Sequence, residues 1–231
     1  MKTIGLIGGM SWESSAEYYR VMNEEVKHRL GGLHSARILM LSVDFETIRR
    51  HMLTDDWPGA GEKLTEAART LEQGGADFIV IGTNTMHMVA SQVAEAVSIP
   101  VLHIVDVTAA KVKETDAETV GLLGTIFTME RDFYRGRLAE NGVQSIVPSK
   151  ADRAIVDRVI FDELCKGDFT DVSRQEYLRI IDDLVRRGAQ AIILGCTEIG
   201  LLIGAEDVPV PVFDTCHIHA AAAVRAALEQ A

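Results

Sequence analysis

Short apolar runs, bounded by glycine or proline and separated by helical patterns, recur along the chain. Thr3-Ile4-Gly5-Leu6-Ile7-Gly8 reads as a buried strand, and a helix is expected from about Ser14 to Leu30, stopping at Gly31-Gly32. Arg37 to Val43 reads as a second strand. Leu64, Ala67, Ala68 and Leu71 lie at helical spacing, and Gly74-Gly75 closes that helix. Phe78 to Ile81 is a third strand, Met88 to Val97 is helical, and Pro100 opens a fourth strand, Val101 to Val105.

The pattern then restarts. Val120-Gly121-Leu122-Leu123-Gly124-Thr125 repeats the character of Ile4-Gly5-Leu6-Ile7-Gly8-Gly9. A helix is expected from about Met129 to Glu140, a strand at Ser145 to Val147, and helices at roughly Asp152 to Cys165 and Ser173 to Arg187. Ala191 to Gly195 forms an apolar strand, and Val208 to Asp214 echoes Ile99 to Asp106. An Ala-rich helix, His217 to Glu229, closes the chain. Alternating strands and helices imply parallel sheets with helices packed on them. The half-chain repeat predicts an α/β fold of two similar domains, each a parallel-type sheet of about four strands flanked by helices, related by pseudo-two-fold symmetry. The Ala-rich helix needs a sheet face to bury against, and the first domain has room for it. The expected domains are therefore 1–98 plus 212–231, and 99–211.

Composition narrows the class. The 231 residues, 47% of them hydrophobic, suffice for one large or two small globular domains. A net charge of −11 argues against nucleic acid and anionic membrane as main partners. No apolar run is long enough to span a membrane, and Met1-Lys2-Thr3 leads straight into a strand, so a cytoplasmic location is the default expectation. The three cysteines, Cys165, Cys196 and Cys216, are odd in number and widely spaced, which argues against a disulfide framework or a zinc cluster.

Two strand tips carry the chemistry. Gly75-Ala76-Asp77 leads into Phe78-Ile79-Val80-Ile81-Gly82-Thr83-Asn84-Thr85, and Gly188-Ala189-Gln190 leads into Ala191-Ile192-Ile193-Leu194-Gly195-Cys196-Thr197-Glu198. The same offset separates Gly75 from Gly188 and Thr83 from Cys196, so Thr83 stands where Cys196 stands. Ligands of open α/β sheets bind at the carboxyl ends of strands. Cys196 is a candidate nucleophile or base if a helix N-terminus at Thr197-Glu198 stabilises its thiolate; otherwise it is a buried inert thiol. Asn84, Thr85 and Thr197 suit an anion cradle, and they suit helix capping equally. Gly8-Gly9-Met10-Ser11 and Gly124-Thr125-Ile126-Phe127-Thr128 form a second pair of tips, where glycine admits a ligand close to the backbone. His87 either polarises a substrate carboxylate or is a satisfied structural histidine. Arg49-Arg50-His51 offers a cation for an acidic side chain, or is surface charge. His217 and His219 do not share a helix face, which disfavours a metal pair.

Three blocks carry a family resemblance over essentially the whole chain: Gly8-Gly9-Met10-Ser11-Trp12-Glu13-Ser14, Thr83-Asn84-Thr85-Met86-His87 and Gly195-Cys196-Thr197-Glu198. The chain resembles the aspartate/glutamate racemase family, and Cys-Thr-Glu resembles its aspartate branch. The resemblance implies an isomerase that uses neither pyridoxal phosphate, metal nor other cofactor, acts on a small amino acid and assembles as a homodimer. In the family, two cysteines flank the α-carbon; one removes the α-proton and the other reprotonates the opposite face. The resemblance thus implies catalytic roles for Thr83 and Cys196, facing each other across a cleft. It implies substrate binding by Met10, Ser11, Asn84, Thr85, Thr125, Thr128, Thr197 and Glu198. Two departures stand out. Thr83 replaces the first cysteine, and a hydroxyl is a far weaker acid than a thiol. Cys165 falls where aspartate-specific relatives carry a substrate-binding lysine.

The favoured expectation is a cofactor-independent racemase of acidic amino acids, with L-aspartate or L-glutamate preferred. The alternatives are a one-cysteine decarboxylase or isomerase of small dicarboxylic acids on the same fold, and a non-catalytic amino-acid-binding protein.

Overall fold

The computed structural model describes residues 1–229. Its first sheet contains β1 (Ile4–Gly8), β2 (Ile38–Ser42), β3 (Phe78–Ile81) and β4 (Val101–Leu102), in the order β2-β1-β3-β4. The second contains β5 (Thr119–Gly124), β6 (Gln144–Ile146), β7 (Ala191–Gly195) and β8 (Val212–Asp214), in the order β6-β5-β7-β8. All pairs are parallel, and the two orders are the same once the strands of each sheet are counted from its own start. The interior strands β1, β3 and β7 are buried at every residue, the signature of strands covered on both faces.

The helices are α1 (Trp12–Leu30), α2 (Phe45–Leu53), α3 (Trp57–Gln73), α4 (Ala90–Glu95), α5 (Ile104–Val112), α6 (Ile126–Glu130), α7 (Asp132–Glu140), α8 (Lys150–Asp162), α9 (Asp171–Arg186) and α10 (Thr215–Leu228). Compact packing divides the chain into two units: Met1–Ile104 with the stretch beginning at His219, and Val105–Ile218. In the first unit, the Lys2 N–H donates to the Ala227 carbonyl at 2.8 Å, tying the C-terminal stretch to the chain start.

Local chemistry sets the helix ends. The Ser11 hydroxyl accepts from the Ser14 N–H at the start of α1, and the Gly31 N–H closes its end on the Lys27 carbonyl. In the second unit, Tyr177, Ile180, Ile181 and Leu184 form the buried stripe of α9. They join Val156, Val159 and Ile160 of α8 and Ile192 and Leu194 of β7 in one apolar cluster. Burying each such aliphatic side chain contributes about 1.5–3 kcal/mol.

Several elements differ from the sequence pattern. β4 ends at Leu102 rather than Val105, because α5 begins at Ile104. Ile104, Val105, Thr108, Ala109 and Val112 are buried at helical spacing, so an apolar run that reads as strand is a helix face. The helix expected from Met129 to Glu140 starts earlier and is broken at Arg131, whose extended backbone (φ −86°, ψ 150°) separates α6 from α7. The helix expected from Met88 is a 3-10 turn, Thr85–Val89, followed by α4. The last strand begins only at Val212, after a 3-10 turn at Ala205–Asp207. α2 has a legible start, Asp44 accepting from the Glu46 N–H, but no long apolar period to announce it.

Candidate active site

The candidate residues fall into two sets, one in each unit. In the first, β1 and β3 are neighbours and their carboxyl ends lie side by side, with the Gly82 N–H donating to the Ile7 carbonyl at 2.9 Å. After β1 the chain turns at Gly9 (φ 89°), where any Cβ would collide with the Val43 backbone. The Gly9 N–H donates to Ser15 Oγ at 2.7 Å, and that hydroxyl donates to the Ser11 carbonyl at 2.8 Å. Met10 and Ser11 are thereby fixed and buried.

After β3, Thr83 is half-buried, while Asn84 and Thr85 are buried at the start of the 3-10 turn. The Asn84 side chain makes no capping hydrogen bond to that turn, so helix capping does not account for it. The Thr83 N–H donates to the Ile81 carbonyl at 2.8 Å, and His87 Nδ1 lies 2.7 Å from the Thr83 carbonyl oxygen. His87 is thus the satisfied structural histidine of the two alternatives. Arg50 and His51, two of the candidate cations, sit on α2 engaged with Glu46 and Asp56.

In the second unit the equivalent neighbours are β5 and β7, with Gly124 paired to Gly195. A Cβ at Gly195 would stand 2.8 Å from the Leu123 carbonyl oxygen and 3.2 Å from Thr128 Cγ2, so glycine lets the two tips meet closely. Thr125 caps α6 by accepting from the Thr128 N–H at 3.3 Å, and the two threonine hydroxyls are 3.2 Å apart. The Ile126 N–H donates to Asp157 Oδ1 at 2.7 Å. Burial raises the Asp157 carboxyl above its ordinary range. Sequence reading missed Asp157, since nothing in an α8 position announces contact with a strand tip.

Cys196 follows β7 and is 9% exposed. Its thiol donates to Glu198 Oε2 at 2.9 Å, and the Thr197 hydroxyl donates to the same oxygen at 3.0 Å. Burial first, then the neighbouring Glu198 carboxylate, pushes the thiol well above its ordinary value. This corrects the expectation of a thiolate stabilised at a helix N-terminus. The chain leaves Glu198 through a three-residue 3-10 turn, Ile199–Leu201, and the nearest charge is negative. The resting group is a thiol with its proton directed at the Glu198 carboxylate. Cys165 is partly buried against the apolar cluster in a 3-10 turn, and the adjacent Lys166 pairs with Asp162 at 3.9 Å. Cys216 is fully buried beside Thr215, whose hydroxyl donates to the Leu194 carbonyl.

Among the described residues, no group of three His, Cys, Asp or Glu is arranged to hold a metal ion, and no helix is long and apolar enough to cross a membrane. A family model described as Asp/Glu/Hydantoin racemase matches residues 7–223. The broad specificity amino-acid racemase RacX of Bacillus subtilis is 26% identical over 152 residues, which are 66% of this chain and 65% of that protein. The chain thus matches just under two thirds of that curated relative's length. A Yersinia pestis crystal structure ascribed to the Asp/Glu racemases is 50% identical, covers 99% of this chain and 100% of that one, and superposes with a TM-score of 0.92. An aspartate racemase homologue from Pyrococcus horikoshii is 33% identical over 99% of this chain and 100% of that one, with a TM-score of 0.85.

Proposed function

The chain belongs to the Asp/Glu/hydantoin racemase family, and on that premise we propose that it racemises acidic amino acids, L-aspartate or L-glutamate, by proton transfer alone. The observation that carries the proposal is the Cys196 thiol at the tip of β7, 2.9 Å from Glu198 Oε2, with Thr83 at the same place on β3. A bound α-ammonium group beside Cys196 offsets the Glu198 charge and brings the thiol's pKa down. Glu198 accepts the Sγ proton, and the thiolate then removes the α-proton of the L-substrate. The electron pair left on the α-carbon spreads into the α-carboxylate. Asn84, Thr85 and Thr197, with Met10, Ser11, Thr125, Thr128 and neighbouring backbone amides, hold that carboxylate and the rest of the substrate, and favour the charge as it develops. Thr83 serves the opposite face as a relay, its hydroxyl giving a proton to the α-carbon while taking one from a water molecule; the hydroxide left is neutralised by the proton that Glu198 returns to solvent, which restores the site. The homodimer implied by the resemblance, and the cytoplasmic setting expected by default for a chain whose apolar runs are too short to span a membrane, belong to the same proposal.

Chiral chromatography after incubation with L-aspartate and L-glutamate tests the reading, with maleate and substituted malonates run beside them. The expected result is slow appearance of the D-amino acid and no turnover of the diacids. Release of carbon dioxide from malonates, or isomerised maleate, without racemisation would replace this reading with the one-cysteine alternative.

A further inference from the structure

His87 makes two hydrogen bonds to backbone groups, and their partners fix its tautomer. Nε2 lies 3.2 Å from the Ile104 nitrogen, and Nδ1 lies 2.7 Å from the Thr83 carbonyl oxygen. A backbone N–H only donates and a carbonyl only accepts, so Nε2 is bare and Nδ1 carries the hydrogen. His219 is the opposite case. Its Nε2 lies 2.9 Å from the Leu102 carbonyl and donates, leaving Nδ1 to accept from the Tyr18 hydroxyl at 2.9 Å. Two imidazoles of opposite tautomer thus hold the corner where β4 passes into α5. The His103 ring packs edge-on against His87 at 4.5 Å.

The Thr83 peptide has a reason to need this. Had an α-helix followed, the His87 N–H would have bonded the Thr83 carbonyl four residues back. The turn is instead 3-10, and the His87 N–H goes to the Asn84 carbonyl at 3.1 Å. Among the described residues, the donor to the Thr83 carbonyl is the His87 side chain. The imidazole replaces the main-chain donor that the turn has taken away. His87 is 3% exposed with both nitrogens engaged, so it is not disposed to touch substrate.

We propose that His87 is a positioning residue, which fixes the Thr83 peptide and with it the direction of the Thr83 hydroxyl. The proposal rests on the proton-transfer role of Thr83 in the proposed function. A displaced hydroxyl slows proton transfer without weakening substrate binding, so His87→Ala lowers kcat for L-to-D conversion about tenfold or more, with KM within about twofold. His87→Asn, whose amide donates from nearly the position of Nδ1, recovers most of the rate. In a Thr83→Ala background, His87→Ala costs no further activity.

The nitrogen chemical shifts of ¹⁵N-histidine in the unmodified protein, with the His87 signals identified by their loss in His87→Asn, report a protonated Nδ1 and a bare Nε2 at neutral pH. An imidazolium or an Nε2–H tautomer at His87 in the unmodified protein overturns the assignment. A rise in KM alone overturns positioning in favour of substrate contact. Equal losses in His87→Ala and His87→Asn, or additive losses in the double variant, overturn it in favour of general structural support. Full racemisation by Thr83→Ala alone rejects the role of Thr83 in the proposed function, and the nitrogen shifts then decide the His87 hydrogen bonds separately.

Discussion

Cys196 and Thr83 are legible in the sequence because a glycine-terminated apolar run repeats and puts a polar residue at the same step past each. The protonation of Cys196 is not legible. It depends on a tight turn that brings Glu198 back onto the sulfur, and a letter two positions on does not reveal that contact. The same contact gives a prediction in which reactivity and catalysis part company. Glu198→Gln removes the negative charge that raises the thiol's pKa, so thiolate forms at lower pH. It also removes the proton acceptor, so α-proton exchange falls by a factor of about 10²–10⁴. The thiolate absorbance followed against pH, beside exchange rates, checks both; a raised pKa or an undiminished rate would contradict the role given to Glu198. Cys196→Ala is expected to abolish exchange, read as retention of the α-proton signal in D₂O by NMR. Thr83→Cys places a thiol on the second face and is expected to bring D-substrate exchange up to a measurable rate in the same assay.

At the scale of elements, strands interior to a sheet are the easiest to read, since β1, β3 and β7 are unbroken apolar runs. The β4–α5 corner is the hardest. Ile104-Val105 continues an apolar stretch, and only the buried spacing through Val112 betrays a helix; the donor that satisfies Nε2 of His87 is the first N–H of that helix. α10 contributes His219 to the same corner. Its pKa falls from 6.5 to about 4, chiefly because burial disfavours the charged ring. A histidine with a depressed folded pKa lets the unfolded chain bind more protons between those values. Stability is therefore complete above about pH 6.5, and is lost progressively as pH falls toward 4, by about 3 kcal/mol from this group. Denaturant titrations at a series of pH values are expected to show that slope, and His219→Gln is expected to flatten it. An unchanged slope in His219→Gln would assign the pH dependence elsewhere.

At the scale of the whole molecule, the sequence repeat reappears as two four-stranded parallel sheets with the same order, each with its candidate reactive residue just past the strand third in chain sequence. Equal places hold unequal chemistry, a hydroxyl on β3 and a thiol on β7. That inequality is the centre of the account, because a reaction run by two thiols would treat both enantiomers alike. The overall equilibrium between enantiomers must still lie near one, so the asymmetry is kinetic. The most direct measurement is solvent deuterium incorporation at the α-carbon, followed separately for the L- and D-forms of aspartate and glutamate. The account predicts rapid incorporation from at least one of the L-substrates and little or none from its D-form. Comparable kcat/KM for exchange from both enantiomers would contradict it.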